Sequence, residues 1–372
     1  MEVYGFGVTK KGQPFTAVRF TREDVRAGEV AIDITHCGVC HSDLHQVDDD
    51  WGNTNYPCVP GHEIAGIVTE IGDGVTKFKK GDRVGVGCMI NSCQQCEPCR
   101  NGDEQYCAGP KSATLTYNGP KKPDGTNSYG GYTDSIVVRE EFVLRIPDAL
   151  SSEAAAPILC AGITTYQPMK HFGLKAGQTL GVAGIGGLGH MAIQIGKALG
   201  ARVVALTTHP EKADEIRKLG ADEVLVSTDE EAMAGAAMSL DLMINTIPVP
   251  HDINAYVSLM KPNSTLVIVG NMMGFEDLQS APLVFHRIGV HGSLIGGVAD
   301  TQEVLDLCAE HAIAPELKVV STRDIEGVYD DLRNGNPRYR HVLDMKAFEE
   351  NAEARSKAKD IAQPTRGEVV GR

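Results

Sequence analysis

What this 372-residue sequence lacks narrows its function before any motif is read. It lacks an excess of positive charge: 35 Lys and Arg stand against 49 Asp and Glu, giving a net charge of -14. General affinity for nucleic acid phosphates depends on a basic face, so a nucleic-acid partner is not expected, and any anionic ligand must be met by local groups. It also lacks an apolar run approaching the ~20 residues a membrane helix needs, which argues against a membrane span. The first residues, Met1 to Lys11, have neither the basic start nor the apolar stretch of a secretory signal, and a cytoplasmic location is expected.

Cysteine, by contrast, is plentiful. Five of the ten cysteines fall between Cys88 and Cys107. In a reducing compartment such clustering suits metal ligands and buried thiols better than disulfides. The length exceeds what one ordinary core supports and predicts two domains with a cleft.

The pattern along the chain changes once. Up to about residue 150, short Val/Ile-rich runs are punctuated by Gly, Pro and Asp: Glu29-Val-Ala-Ile-Asp-Ile, Ile64-Ala-Gly-Ile-Val, Asp82-Arg-Val-Gly-Val and Tyr132-Thr-Asp-Ser-Ile-Val-Val. These read as a β-rich, partly barrel-like domain. From about Gly162, strands and helices alternate. Strands are predicted at Thr179 to Ala183, Arg202 to Leu206, Glu223 to Val226, Leu240 to Ile244 and Thr265 to Val269. Helices are predicted at His190 to Leu199 and Pro210 to Leu219. That alternation specifies an α/β, doubly wound parallel sheet. Thr301 to His311 then reads as helix and Tyr339 to Leu343 as a strand returning to the first domain. The polar tail from Ala347 to Arg372 reads either as an interaction arm or, more plainly, as a frayed helix with a disordered end.

Gly184-Ile-Gly-Gly-Leu-Gly189 follows a predicted strand and opens a predicted helix, the context that makes a G-x-G-x-x-G informative. Gly184 suits the tight turn, Gly186 lets backbone approach a pyrophosphate, and Gly189 lets helix pack on strand. Gly187 and Leu188 complete the turn, and the helix N-terminus favours an anion. About 20 residues on, a carboxylate normally grips the adenosine ribose. Thr208 stands there instead, with Thr207, His209 and Lys212 able to donate to a 2′-phosphate, so NADP(H) is expected. The competing reading makes Glu211 the missing acid.

Cys93, Cys96, Cys99 and Cys107 bring four thiolates to one loop and leave no open coordination position, as in a structural zinc site. Cys40, His62 and Cys160 supply two sulfurs and a nitrogen, with room for a water or substrate oxygen, as a catalytic zinc requires. Glu63 is either a fourth ligand or a carboxylate that tunes the metal from outside. Two Zn2+ per chain are therefore expected. Cys37, Cys58 and Cys308 read as buried small hydrophobes.

Taken together, Gly38-Val-Cys-His-Ser-Asp-Leu-His45, Gly61-His-Glu-Ile-Ala-Gly66, the four-cysteine loop and Gly184-Ile-Gly-Gly-Leu-Gly-His190 resemble the zinc-containing medium-chain alcohol dehydrogenases. Within them the likeness is to the cinnamyl alcohol dehydrogenase branch and its bacterial aldehyde reductase relatives. It runs in one register from about Phe6 to Met345. The resemblance implies a GroES-like catalytic domain over 1–161 and 296–372, a Rossmann domain over 162–295, and commonly a homodimer. It implies that Ser42 passes the alcohol proton toward the cofactor ribose and that His45 exchanges it with solvent. Asp43 resembles the outer acid of the zinc site. Arg340, in Arg338-Tyr-Arg-His-Val-Leu, resembles its basic partner and is grouped with the cofactor-binding residues, the alternative being a surface cation. Ser293 and Ile295 resemble the stretch that meets the nicotinamide carboxamide.

Trp51, Cys88, Leu115 and Ile295 fall where relatives border the substrate, although Trp51 also reads as plain packing. Plant enzymes acting on cinnamaldehydes carry a tryptophan about where Leu115 stands. A broad pocket for aliphatic and aromatic aldehydes, or their alcohols, is therefore expected. Two other functions compete: reduction of iminium or activated C=C substrates on the same fold, and a non-catalytic binding protein. Retention of Ser42 and His45 favours the carbonyl reaction.

Overall fold

The computed structural model describes residues 1–109, 113–119, 127–270, 273–274, 277–335, 339–346 and 352–364. It divides into two compact units, Met1–Cys160 with Gly296–Arg372, and Ala161–Ile295.

The second unit is a six-stranded parallel sheet. Its strands are β1 (Thr179–Ala183), β2 (Arg202–Thr207), β3 (Glu223–Val226), β4 (Leu240–Asn245), β5 (Met260–Ile268) and β6 (Gly289–Gly292). They lie in the order β3-β2-β1-β4-β5-β6. All five β1 residues are buried, as expected of a strand covered on both faces. The helix Gly189–Ala198 lies close against it, for a Cβ on Gly196 would come within 2.5 Å of Leu180. The strand order reverses between β1 and β4, which makes their C-terminal ends the switch point where such sheets bind ligands.

Two expectations need correction here. Pro210 to Leu219 is not one helix: a 3-10 turn, Pro210–Lys212, leads into the helix Ala213–Lys218. Strand β5 begins at Met260 rather than Thr265, because the pairing with β4 shifts register between Leu240 and Leu242.

In the first unit everything turns on the 11-residue strand Glu29–Val39. Its first half pairs with Ser135–Arg139 and its second half with Arg340–Asp344, so early, middle and late parts of the chain meet on one strand. Ile64–Ile71 runs antiparallel along its other edge, with Cys37 opposite Ile64. Consequently the residue after the long strand, Cys40, and those before its neighbour, His62 and Glu63, emerge at the same end of the sheet. Arg340, next to the His341 that pairs with Val39, arrives there too.

The tail departs from the disordered end expected of it. Residues 347–351 and 365–372 lie outside the described residues, but between them a helix, Ala352–Ser356, precedes a strand, Lys359–Asp360. That strand adds in parallel to the hairpin Glu2–Gly7 and Thr16–Thr21. Polar contacts secure it: Arg19 to Asp360 at 2.7 Å, Arg355 to Asp134 at 2.9 Å, and the Arg355 guanidinium 4.7 Å from the Tyr4 ring centroid. Arg355 is one-third exposed, so Arg355→Ala should cost about 1 kcal/mol, lowering the denaturation midpoint of the first unit. An unchanged midpoint in urea would mean that this contact contributes nothing.

Candidate active site and nucleotide site

The residue Cys40 is set at the junction of the long strand and the helix His41–Val47. Asp43 folds back across that junction and accepts from the Cys40 N–H at 2.9 Å. Its other oxygen lies 3.1 Å from His62 Nδ1 and accepts from the Gly61 N–H at 3.2 Å. Asp43 and Glu63 are completely buried. An acceptor on Nδ1 leaves the Nε2 lone pair of His62 free to ligate, and Nε2 points at Cys160 Sγ, 3.3 Å away. Cys160 rides on a single π-helical turn, Ile158–Gly162, of the kind that often marks functional sites.

The ligand atoms of Cys40, His62, Glu63 and Cys160 all lie within 4.8 Å of one another. The two sulfurs are 4.0 Å apart. The two sulfurs shift in opposite directions: the bond from Cys160 holds the Cys40 thiol well below the usual range, and the same bond holds Cys160 above it. Burial is the largest single influence on the His62 imidazole and pulls it down, but the charges of Asp43 and Cys88 and the bonds to Asp43 and Cys40 together raise it well above the ordinary value. Glu63 ion-pairs with Arg340 through one oxygen, and its second oxygen has no hydrogen-bond partner. Two thiols, a ring nitrogen and a carboxylate, all buried and within 4.8 Å of one another, form a donor set that fits a divalent metal.

Arg340 thus differs from both earlier readings. It is 3% exposed, which rules out a surface cation, and its partner is Glu63, not Asp43. It stands on the strand Arg340–Asp344 of the first unit.

Ser42 and His45 lie one turn apart on the helix His41–Val47. The Ser42 hydroxyl is 3.7 Å from Cys40 Sγ. His45 Nδ1 is 2.8 Å from Asp50, and its ring stacks 5.4 Å from Trp51. Trp51 thus stands beside His45. Cys88 lies next to the Ile158–Gly162 turn, its thiol donating to the Leu159 carbonyl at 3.9 Å. Leu115, 44% exposed, pairs with Met89 in a two-stranded ribbon.

The four-cysteine loop closes as its spacing suggests. Cys93, Cys96, Cys99 and Cys107 also hold their sulfurs within 4.8 Å of one another. Backbone N–H groups point at the sulfurs: Cys96 to Cys93 at 3.3 Å, Cys93 to Cys107 at 3.4 Å and Ala108 to Cys96 at 3.4 Å. The Cys96 thiol is brought down to about 6, chiefly by the Cys99 backbone N–H. Such donors favour thiolates, the form that binds metal.

In the second unit Gly184 has φ +84°, and a Cβ on Gly189 would lie 2.0 Å from the Gly184 carbonyl oxygen. Gly186 faces open space, while Gly187 and Leu188 lead into the helix Gly189–Ala198. Thr246, at the end of β4, donates to the Gly184 carbonyl at 2.6 Å and so ties the glycine turn to the neighbouring strand. Thr207 ends β2, and its hydroxyl accepts from the His209 N–H at 3.1 Å. Thr208 follows it, Lys212 closes the 3-10 turn, and the Glu211 carboxylate is 3.0 Å from His209 Nδ1. The Ser293 hydroxyl donates to Gln167 at 2.8 Å. Ile295, a β-branched residue, has φ +36°, an unusual backbone of the kind found at ligand-binding turns.

Comparison with known proteins agrees with both halves of this arrangement. The family model described as alcohol dehydrogenase GroES-like domain matches residues 26–148, and that described as zinc-binding dehydrogenase matches residues 187–310. The NADP-dependent alcohol dehydrogenase C 1 of Mycolicibacterium smegmatis is 44% identical over 342 residues, 92% of this chain and 97% of that protein. The chain belongs to the zinc-binding alcohol dehydrogenase family. It is an oxidoreductase of that type, with a GroES-like and a Rossmann unit. The aldehyde reductase YahK of Escherichia coli is 42% identical over 94% of this chain and 99% of that protein. Among solved structures, the cinnamyl alcohol dehydrogenase of Sorghum bicolor superposes with a TM-score of 0.89 at 39% identity, covering 93% of this chain and 98% of that one. The cinnamyl alcohol dehydrogenase of Helicobacter pylori, solved with NADP(H), gives 0.86 at 38% identity, covering 93% and 99%.

Sequence reasoning missed several residues around this alcohol dehydrogenase site. Tyr117 stacks on His62 with ring centroids 5.8 Å apart. Tyr132 lies 3.5 Å from Asp43, and Tyr329 lies behind Tyr132 at 3.3 Å. Thr246 was missed as well. None sits in a ligand motif, and only the folded chain brings them to it.

Proposed function

We propose that this chain is a zinc-dependent alcohol dehydrogenase and aldehyde reductase that moves a hydride between NADP(H) and the carbonyl carbon of a broad range of aliphatic and aromatic aldehydes. The observation that carries this reading is the buried convergence of Cys40, His62, Glu63 and Cys160 beside the Ser42 hydroxyl. Bound there, zinc would polarise a carbonyl oxygen or acidify an alcohol, and the nicotinamide would give or take the hydride. The remaining work falls to the protein. Ser42 is set to take the alcohol proton in oxidation and return it in reduction. His45, with Nδ1 bonded to Asp50, keeps Nε2 free to exchange that proton with solvent. A second zinc in the four-cysteine loop would be purely structural. Cys88 and Leu115 are assigned to the substrate pocket.

The absence of an acid at Thr208, with Thr207, His209 and Lys212 nearby, supports NADP(H) over NAD(H), as do the relatives named for NADP. Glu211 is occupied by His209, which weakens it as a ribose acceptor. Homodimerisation is supported by Val284 and Phe285, 77% and 81% exposed, and by the edge position of β6. Phe285→Glu should therefore shift the sedimenting species toward the monomer mass, and a parent chain that already sediments as a monomer would refute the dimer.

Aldehyde-dependent oxidation of NADPH should exceed that of NADH, disappear on exhaustive chelation and return with added zinc. Activity that survives complete metal removal would overturn the mechanism, and a preference for NADH would overturn the coenzyme assignment. Ser42→Ala should lower kcat by about 100-fold while both metals remain bound. An unchanged rate would rule out the relay.

A further inference from the structure

The strongest feature that this function leaves unused is the pair of buried tyrosines behind the metal ligands. Tyr132 and Tyr329 are both fully buried. Tyr132 and its neighbour Gly131 hold the turn before His62, and the Tyr132 hydroxyl reaches Asp43. The Tyr132 N–H donates to the Pro60 carbonyl at 3.0 Å, and the preceding Gly131 N–H donates to the Gly61 carbonyl at 2.8 Å. Its ring lies directly against Gly61, where any Cβ would come within 2.7 Å of Cδ1. Its hydroxyl lies 3.5 Å from Asp43 Oδ2. Tyr329, on the helix Ile325–Arg333, donates its own hydroxyl to that of Tyr132 at 3.3 Å.

Chemistry fixes the direction of these bonds. An ionised carboxylate only accepts, so the Tyr132 proton is directed to Asp43 and the Tyr132 oxygen is left to accept from Tyr329. Both phenols stay protonated, since burial first and the Asp43 charge second raise them well above the usual tyrosine range. Asp43 thereby has donors on both oxygens: Gly61 and His62 on Oδ1, Cys40 and Tyr132 on Oδ2. A carboxylate pinned from two sides holds the imidazole plane, and a ring fixed through Nδ1 presents Nε2 in one direction.

We propose that Tyr132, backed by Tyr329, is a positioning residue that fixes Asp43 so that His62 presents Nε2 to the metal. This rests on the metal reading given above. Tyr329 acts only through Tyr132, which gives the pair a signature that simple packing lacks.

The test is zinc affinity at the Cys40–His62–Cys160 site of the full-length protein, measured by competition with a chromogenic chelator, with zinc in the four-cysteine loop as the internal reference. Tyr132→Phe should weaken that site about ten-fold and leave the reference unchanged. Tyr329→Phe should weaken it less, and the double variant should match Tyr132→Phe alone. Phe15→Leu, which disturbs the packing of both rings but keeps their hydroxyls, should bind as the parent does. Parent-like affinity in Tyr132→Phe, or losses that add in the double variant, would overturn the inference. If Tyr132→Phe does not fold, Tyr329→Phe decides alone, and parent-like affinity there overturns it. A parent that binds only the structural zinc refutes the metal reading itself, whereas a parent with two zincs and an unaffected Tyr132→Phe refutes only the role of the tyrosines.

Discussion

The arrangement of the catalytic unit depends on one buried carboxylate. Asp43 has no exposed surface, so its charge persists only where protein donors replace water. Four groups do so, and they come from three separate segments: the strand end at Cys40, the Gly61–His62 turn and the Tyr132 loop. Each donor is thereby located relative to the others. Removing the carboxylate would strand several buried donors at once, a loss that typically costs more than the pairing itself contributes. The same contact that shapes the backbone also selects the histidine tautomer, so fold and chemistry share one interaction.

Electrostatics sets a second constraint. Two thiolates, Asp43 and Glu63 would gather four negative charges around two buried basic groups, Arg340 paired with Glu63 and His62 paired with Asp43. In a low-dielectric site that imbalance is severe, and a divalent cation held by these ligands would relieve it. Glu63 enters the same account with its charge already shared with Arg340.

How much of this could be read in advance depended on how local each feature is. The glycine turn and the four-cysteine loop are confined to short segments, and their spacing alone was enough to expect them. The set Cys40, His62 and Cys160 is not local: 98 residues separate His62 from Cys160, and family resemblance was needed to join them. Arg340 was misjudged because its buried role follows from the register of Arg340–Asp344 against Glu29–Val39, which no motif encodes. Tyr132, Tyr329 and Thr246 bear on the sites through a hydroxyl each and repeat at no diagnostic spacing. The tail escaped for a different reason. Lys359 and Asp360 are exposed, so the strand carries no apolar alternation, and backbone bonds with ion pairs hold it.

The two metal constellations illustrate opposite ways of preparing thiolates. In the four-cysteine loop the chain's own nearby N–H groups aim at the sulfurs, so the short stretch from Cys93 to Ala108 carries most of what the site needs. At Cys40 and Cys160 only Asp43 is local, three residues from Cys40, while Glu63, Arg340 and Tyr132 must each be delivered by a different element. A self-contained loop suits a metal that only adds stability, because nothing else need move for it to form. A site assembled from many elements forms only when the whole unit is folded, and its ligands can then be held in an arrangement that leaves room for a substrate oxygen. On the proposed function, that is the arrangement chemistry at Cys40, His62 and Cys160 requires.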